Sequence, residues 1–204
     1  MDEATRQRQL LEHLEAIRRL QADAAVVRET AWPPQGYYLL WHVVIGIMLG
    51  CIGAIVSLGA NVLGATLFGQ HPLQLIRVYL TFPMGEQALR EEPGVVLFIG
   101  CVLYLATGAL YGIAFHLVMS TWFNHAPTAR RFAVATAIGL GLWIVNFYFI
   151  LSWLQPMLLG GNWIVSMVPF WVAGLTHLAF AWTMLAVEFW GHFVPYTQTQ
   201  SNAA

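Results

Sequence analysis

Four long stretches of the chain are almost unbroken runs of apolar residues, and polar residues collect before and between them. About 20 apolar residues suffice for a helix to cross the hydrocarbon core of a bilayer. The pattern therefore predicts an all-α integral membrane protein with four transmembrane helices, at about 37–60, 95–122, 132–153 and 163–190. The first run continues to Phe68, longer than a crossing needs, which predicts a tilt or a break near Gly59–Asn61. Ser57 and Asn61, four apart, are placed to hydrogen-bond backbone freed by such a break. Pro169 is expected to kink the fourth span. Trp122, Trp153, Trp163 and Trp190 stand at the ends of the runs, where an aromatic belt belongs.

Ahead of the first run, residues 4–30 read as an amphipathic helix. Leu10, Leu14, Ile17, Gln21 and Ala24 recur at spacings of four and three, with arginines and glutamates at other positions. Such a helix rests on a membrane surface or on a neighbouring subunit. Trp32, Pro33 and Pro34 end it. Segment 1–36 thus reads as a cytoplasmic helix with a proline linker, 37–190 as the membrane domain, and 191–204 as a cytoplasmic tail. The opening residues mix charges and do not run promptly into an apolar core, so they do not read as a signal peptide.

Between the first two spans lies His71–Glu86, bounded near its ends by Pro72 and Pro83, with Arg77 at its middle. It predicts a short interfacial helix over about 72–82, since proline suits a first helical turn and Gly85 follows its end. Gln74, Arg77 and Thr81 share one face and apolar residues cover the rest. Arg77 and Glu86 are expected to dock onto lipid headgroups or a protein partner.

Composition agrees with a membrane protein. Charged residues make up 9% of the chain, against about 25% in soluble domains. A net charge of −1 gives no basis for binding nucleic acid. Cys51 and Cys101 lie far apart inside apolar runs, without metal or redox spacing. Arginine sets the expected orientation. Arg6, Arg8, Arg18, Arg19 and Arg28 precede the first span, and Arg130 and Arg131 lie between the second and third. The positive-inside rule puts these segments and both termini in the cytoplasm, in a bacterial inner membrane.

The polar residues inside the spans are the candidates for chemistry. With a rise of 1.5 Å per residue, His42 and His116 lie at similar depths, about 8 and 9 Å in from the cytoplasmic ends of consecutive spans. His42 shares a helical face with Gly46 and Gly50, and His116 shares one with Gly108 and Gly112. Two readings follow. In one, the four glycines form a close helix contact and the histidines hydrogen-bond across it or to backbone. In the other, His42 and His116 are axial ligands of a haem b, and the glycines make room for the porphyrin. His177 lies near mid-membrane, where an ionisable group is costly; Asn146 and Asn61 are its candidate polar companions, for proton transfer or quinone contact. Glu188 and His192, four apart, suggest an ion pair at a helix end. Nothing in the sequence points to a catalytic residue or a metal centre.

The leading functional expectation is a non-catalytic accessory or assembly subunit of a larger membrane complex, respiratory or otherwise energy-converting, with lipid and protein partners. A haem b electron carrier or anchor is the first alternative. A small transporter or lipid-interacting protein is the second.

Overall fold

The computed structural model describes residues 12–21, 36–191 and 193. The chain divides into two compact units, residues 1–40 and 41–204. In the first, residues 12–21 form helix α1, with Leu14, Ile17 and Leu20 exposed on it. The rest of the predicted amphipathic helix, at 4–11 and 22–30, lies outside the described residues, as does the tail beyond Phe193.

All regular elements among the described residues are helical. Long helices α2 (Gly36–Leu67) and α4 (Val95–Trp122) flank a short one, α3 (Gln74–Met84), and a 3-10 turn at Gly85–Arg90. Helix α5 (Thr128–Ile144) continues through a π-helical segment, Val145–Leu151, into α6 (Ser152–Leu159). Helices α7 (Trp163–Met167) and α8 (Phe170–Gly191) complete the chain. Among the described residues, four helical stretches are long and apolar enough to cross a membrane: Tyr38–Leu67, Val95–Trp122, Thr128–Leu159 and Phe170–Gly191.

The second span has the expected bounds, and the other three differ for local reasons. No break occurs at Gly59–Asn61. The Asn61 amide donates to the Ser57 carbonyl one turn back at 2.8 Å, and the helix runs on to Leu67. The third span starts earlier, at Thr128, and runs through the π-helical Val145–Leu151 into α6, which ends at Leu159. At Pro169 the chain breaks outright. A residue before proline is pushed out of the α region; Val168 adopts φ −94°, ψ 114°, and a new helix starts at Phe170.

Helices α2 and α4 touch backbone to backbone. A Cβ on Gly46 would stand 2.5 Å from Ile113 Cα, and one on Gly50 2.8 Å from Ala109 Cα. From the other side, a Cβ on Gly108 would meet Ala54 Cβ at 2.6 Å, and one on Gly112 would meet Gly50 N at 2.5 Å. Leu49, Phe115, Met119, Ala181 and Met184 fill the core beside this contact. Gly139 of α5 lies against α8, with its missing Cβ 3.1 Å from Ala181 Cβ.

Helix α3 is seated on the bundle and does not lie free at a surface. Ile76, Val78, Leu80 and Thr81 are buried, and Ile76 and Leu80 pack over Gly100 of α4. Thr81 belongs to a buried polar link: Gln155 donates to its hydroxyl at 2.9 Å and accepts from the Ile164 N–H at 3.1 Å. Arg77 is used within the chain. Its Nε donates to the Glu91 carbonyl at 2.7 Å, and Glu92 lies 3.8 Å from its guanidinium. With 12% of its side chain exposed, Arg77 fastens α3 to the following loop. Glu86 is exposed and stands 3.7 Å from a still more exposed Arg90; pairs of this kind contribute little.

Candidate functional site

Among the described residues, two polar constellations inside the bundle hold the histidines of the spans. The first begins at His42 and His116, which α2 and α4 bring together one turn beyond their glycine contact. His42 Nδ1 and His116 Nε2 are 3.1 Å apart, with ring centroids at 5.2 Å. His116 Nδ1 lies 2.6 Å from Glu188 Oε1 of α8, and Arg131 Nη2 of α5 donates to Glu188 Oε2 at 3.0 Å. His42, His116 and Glu188 are buried. The Arg131 guanidinium also lies 4.6 Å over the ring of Phe189, while its Nε is buried without a partner. One continuous chain of polar contacts therefore joins the same end of four spans.

This geometry is that of the hydrogen-bonding reading. A metal–imidazole bond is about 2.0–2.1 Å, so two nitrogens on opposite sides of an iron stand about 4 Å apart. At 3.1 Å, His42 and His116 hold each other and leave no place for iron between them. The helix backbones meet one turn away, where a porphyrin would need space. The pair does not fit a haem b. The two Glu188 oxygens contact His116 and Arg131; the expected pairing with His192 lies outside the described residues. Glu188 inside the fourth apolar run and Arg131 at the start of the third were visible in the sequence. Only the packing of α5, α8 and α4 joins them.

The second constellation edges a partly open cavity of about 480 Å³ bounded by α2, α3, α4, the π-helical segment, α7 and α8. The Tyr111 hydroxyl donates to Asn146 Oδ1 at 2.7 Å. Asn146 Nδ2 makes a long contact of 3.5 Å with His177 Nε2. His177 Nδ1 lies 2.8 Å from the Ala173 carbonyl, which assigns the ring proton to Nδ1 and leaves Nε2 an acceptor. Elsewhere on the wall, the Tyr79 and Thr107 hydroxyls are 2.7 Å apart, and those of Tyr104 and Ser57 are 3.0 Å apart. Phe82, Phe147 and Phe180 supply apolar wall. Leu103 and Ile150 line the cavity and are also 42% and 37% exposed, so it is reached sideways between α4 and the π-helical segment.

His177 thus meets one of its two expected companions. Asn146 is beside it, whereas Asn61 bonds Thr176 Oγ1 at 3.2 Å and the Ser57 carbonyl. The tyrosines and the π-helical segment were not singled out from sequence. Tyrosine is common at interfacial ends of spans, and the signal that sets these apart is their convergence with Asn146, which exists only in three dimensions. A π turn is frequent at functional sites because it displaces side chains from α register; here it carries Asn146, Phe147 and Ile150 to the wall.

Comparison with models of protein families, with curated proteins and with solved structures finds no match for this chain.

Proposed function

We propose that the protein binds an uncharged, lipid-soluble ring compound bearing carbonyl or hydroxyl oxygens, the chemical class of quinones, in the cavity beside Asn146. The character of the cavity wall carries this reading. Among the described residues no charged side chain lines it, so a charged headgroup there would be desolvated without a counter-charge. A bare hydrocarbon occupant would leave unused the second N–H of the Asn146 amide and the spare lone pairs of tyrosine oxygens that already bond Asn146, Thr107 and Ser57. A flat polar ring satisfies both demands. Asn146 keeps a second N–H to donate, Tyr79 and Tyr111 keep oxygen lone pairs to accept, and the aromatic walls favour ring contact. This places the emphasis on the lipid-interacting expectation and ahead of the accessory-subunit one, for which the described residues supply no specific contact.

Native mass spectrometry of the detergent-extracted protein with a short-chain benzoquinone tests the reading. A one-to-one adduct is expected, weakened about tenfold in Asn146→Leu, the effect of one lost hydrogen bond of about 1.4 kcal/mol. Equal retention by both proteins, or displacement of the quinone by phospholipid alone, would sink it.

The arginine distribution supports a topology with both termini in the cytoplasm and α3 on the outer side, in a bacterial inner membrane. Gln87 is exposed. A cysteine there, in a Cys51→Ala/Cys101→Ala background, should react with an impermeant maleimide added to intact spheroplasts. Labelling only after lysis would reverse the orientation.

A further inference from the structure

Nearly every side-chain proton on the cavity wall is already committed. Thr107 Oγ1 donates to the Leu103 carbonyl at 3.0 Å, so the proton between it and the Tyr79 hydroxyl, 2.7 Å away, belongs to Tyr79. Ser57 Oγ donates to the Thr176 carbonyl at 3.4 Å, which makes Tyr104 the donor in their 3.0 Å contact. Thr176 Oγ1 donates to the Val172 carbonyl at 2.7 Å. The Tyr111 hydroxyl donates to Asn146 Oδ1, and His177 Nδ1–H to the Ala173 carbonyl. Among the described side chains lining the cavity, the Asn146 amide alone keeps protons to give, and one of these already leans toward His177 Nε2 at 3.5 Å.

Acceptors, by contrast, are in surplus. A tyrosine oxygen that gives up its proton to a hydrogen bond still carries lone pairs, and a neutral imidazole protonated at Nδ1 carries one at Nε2. Tyr79, Tyr104, Tyr111 and His177 all bring such atoms to the wall. No carboxylate among the described lining residues balances a charge on His177, so its ring is held neutral. Its Nε2 is the least satisfied of these acceptors, because 3.5 Å is longer than a normal N–H hydrogen bond.

We propose that the cavity selects the reduced member of the quinone class, the hydroquinone, and that His177 Nε2 accepts its O–H. This rests on the quinone-class reading above and adds to it which form is held. A hydroquinone brings protons to a wall that lacks them. One hydroxyl donates to His177 Nε2 while its oxygen accepts from the neighbouring Asn146 N–H, and the other hydroxyl has tyrosine lone pairs to meet. A quinone offers acceptors only. It can use the Asn146 amide, and its second carbonyl finds no further donor among the described side chains of the wall. A site whose polar groups pair with a hydroxyl discriminates against the analogue that lacks it.

Native mass spectrometry of the detergent-extracted full chain, run without oxygen, compares a short-chain benzoquinone with the hydroquinone of the same ring and tail. The hydroquinone adduct is expected to be about tenfold tighter, the effect of one further hydrogen bond. In His177→Phe that advantage should disappear while the quinone still binds. Equal or tighter binding of the quinone by the unaltered protein would overturn the preference and leave the quinone-class reading standing. A preference that survives intact in His177→Phe would overturn the role given to His177. Retention of neither form would sink the reading and the preference together.

Discussion

A valine at Gly50 is expected to force α2 and α4 apart and to destabilise the bundle strongly. The first added carbon alone would stand 2.8 Å from Ala109 Cα and nearer still to the Gly108 carbonyl. These are backbone atoms, which cannot turn aside as a side chain can. Ordinary overpacking costs about 1–3 kcal/mol, and a site with no means of relief belongs at or above the top of that range. At about 2–4 °C per kcal/mol for a chain of this size, the melting temperature in detergent should fall by about 10 °C. Gly59 and Gly141 serve as controls, because nothing lies within 4 Å of a Cβ built there. Alanine at either should be neutral or slightly stabilising, since it removes glycine's entropic cost in a helix. A Gly50→Val protein that melts with these controls would show that α2 and α4 do not meet at their glycines.

The second large effect is expected at Glu188. Replacing it with leucine removes the anion from between His116 and Arg131 and leaves a guanidinium with 15% of its side chain exposed. Breaking a buried ion pair from one side costs about 3–5 kcal/mol. Arg131 lies in the first turn of α5, which begins at Thr128, and can reach toward the aqueous edge, so about 3 kcal/mol is the appropriate figure. The double variant Glu188→Leu/Arg131→Leu removes the stranded charge and should regain most of the loss, because an apolar pair of similar volume often replaces a buried ion pair at little cost. Thermal melts of the two single variants and the double variant measure the coupling. Additive losses would mean that the two side chains do not share one site.

These two sites differ in how far they could be read in advance. The glycine contact follows from spacing: residues four apart share a helical face, and small residues there permit close approach in a membrane. The similar depths of His42 and His116 also follow, because a helix rises by a constant amount per residue. The third and fourth members of the chain do not. Nothing local tells Glu188 whether to bond His192 one turn on or His116 and Arg131 on other spans. Arg77 shows the same limit from the other side. Its charge suggests a contact with headgroups or a partner, yet the backbone carbonyl of Glu91 receives it. The cavity is harder still, since its wall draws on α2, α3, α4, α7, α8 and the π-helical segment.

What the amino-acid order determined by itself is the number and approximate extent of the apolar helices, because crossing a bilayer demands long apolar runs whatever their neighbours are. It also determined which faces of α2 and α4 are smooth enough to touch. The tertiary structure alone decided that a π turn swings Asn146 toward Tyr111 and His177, that Pro169 separates two helices, and that Glu188 is shared between His116 and Arg131. The reason is physical. The bilayer acts on each helix separately and reads its composition, whereas a buried polar group must find a partner, and the nearest one is set by how the helices pack.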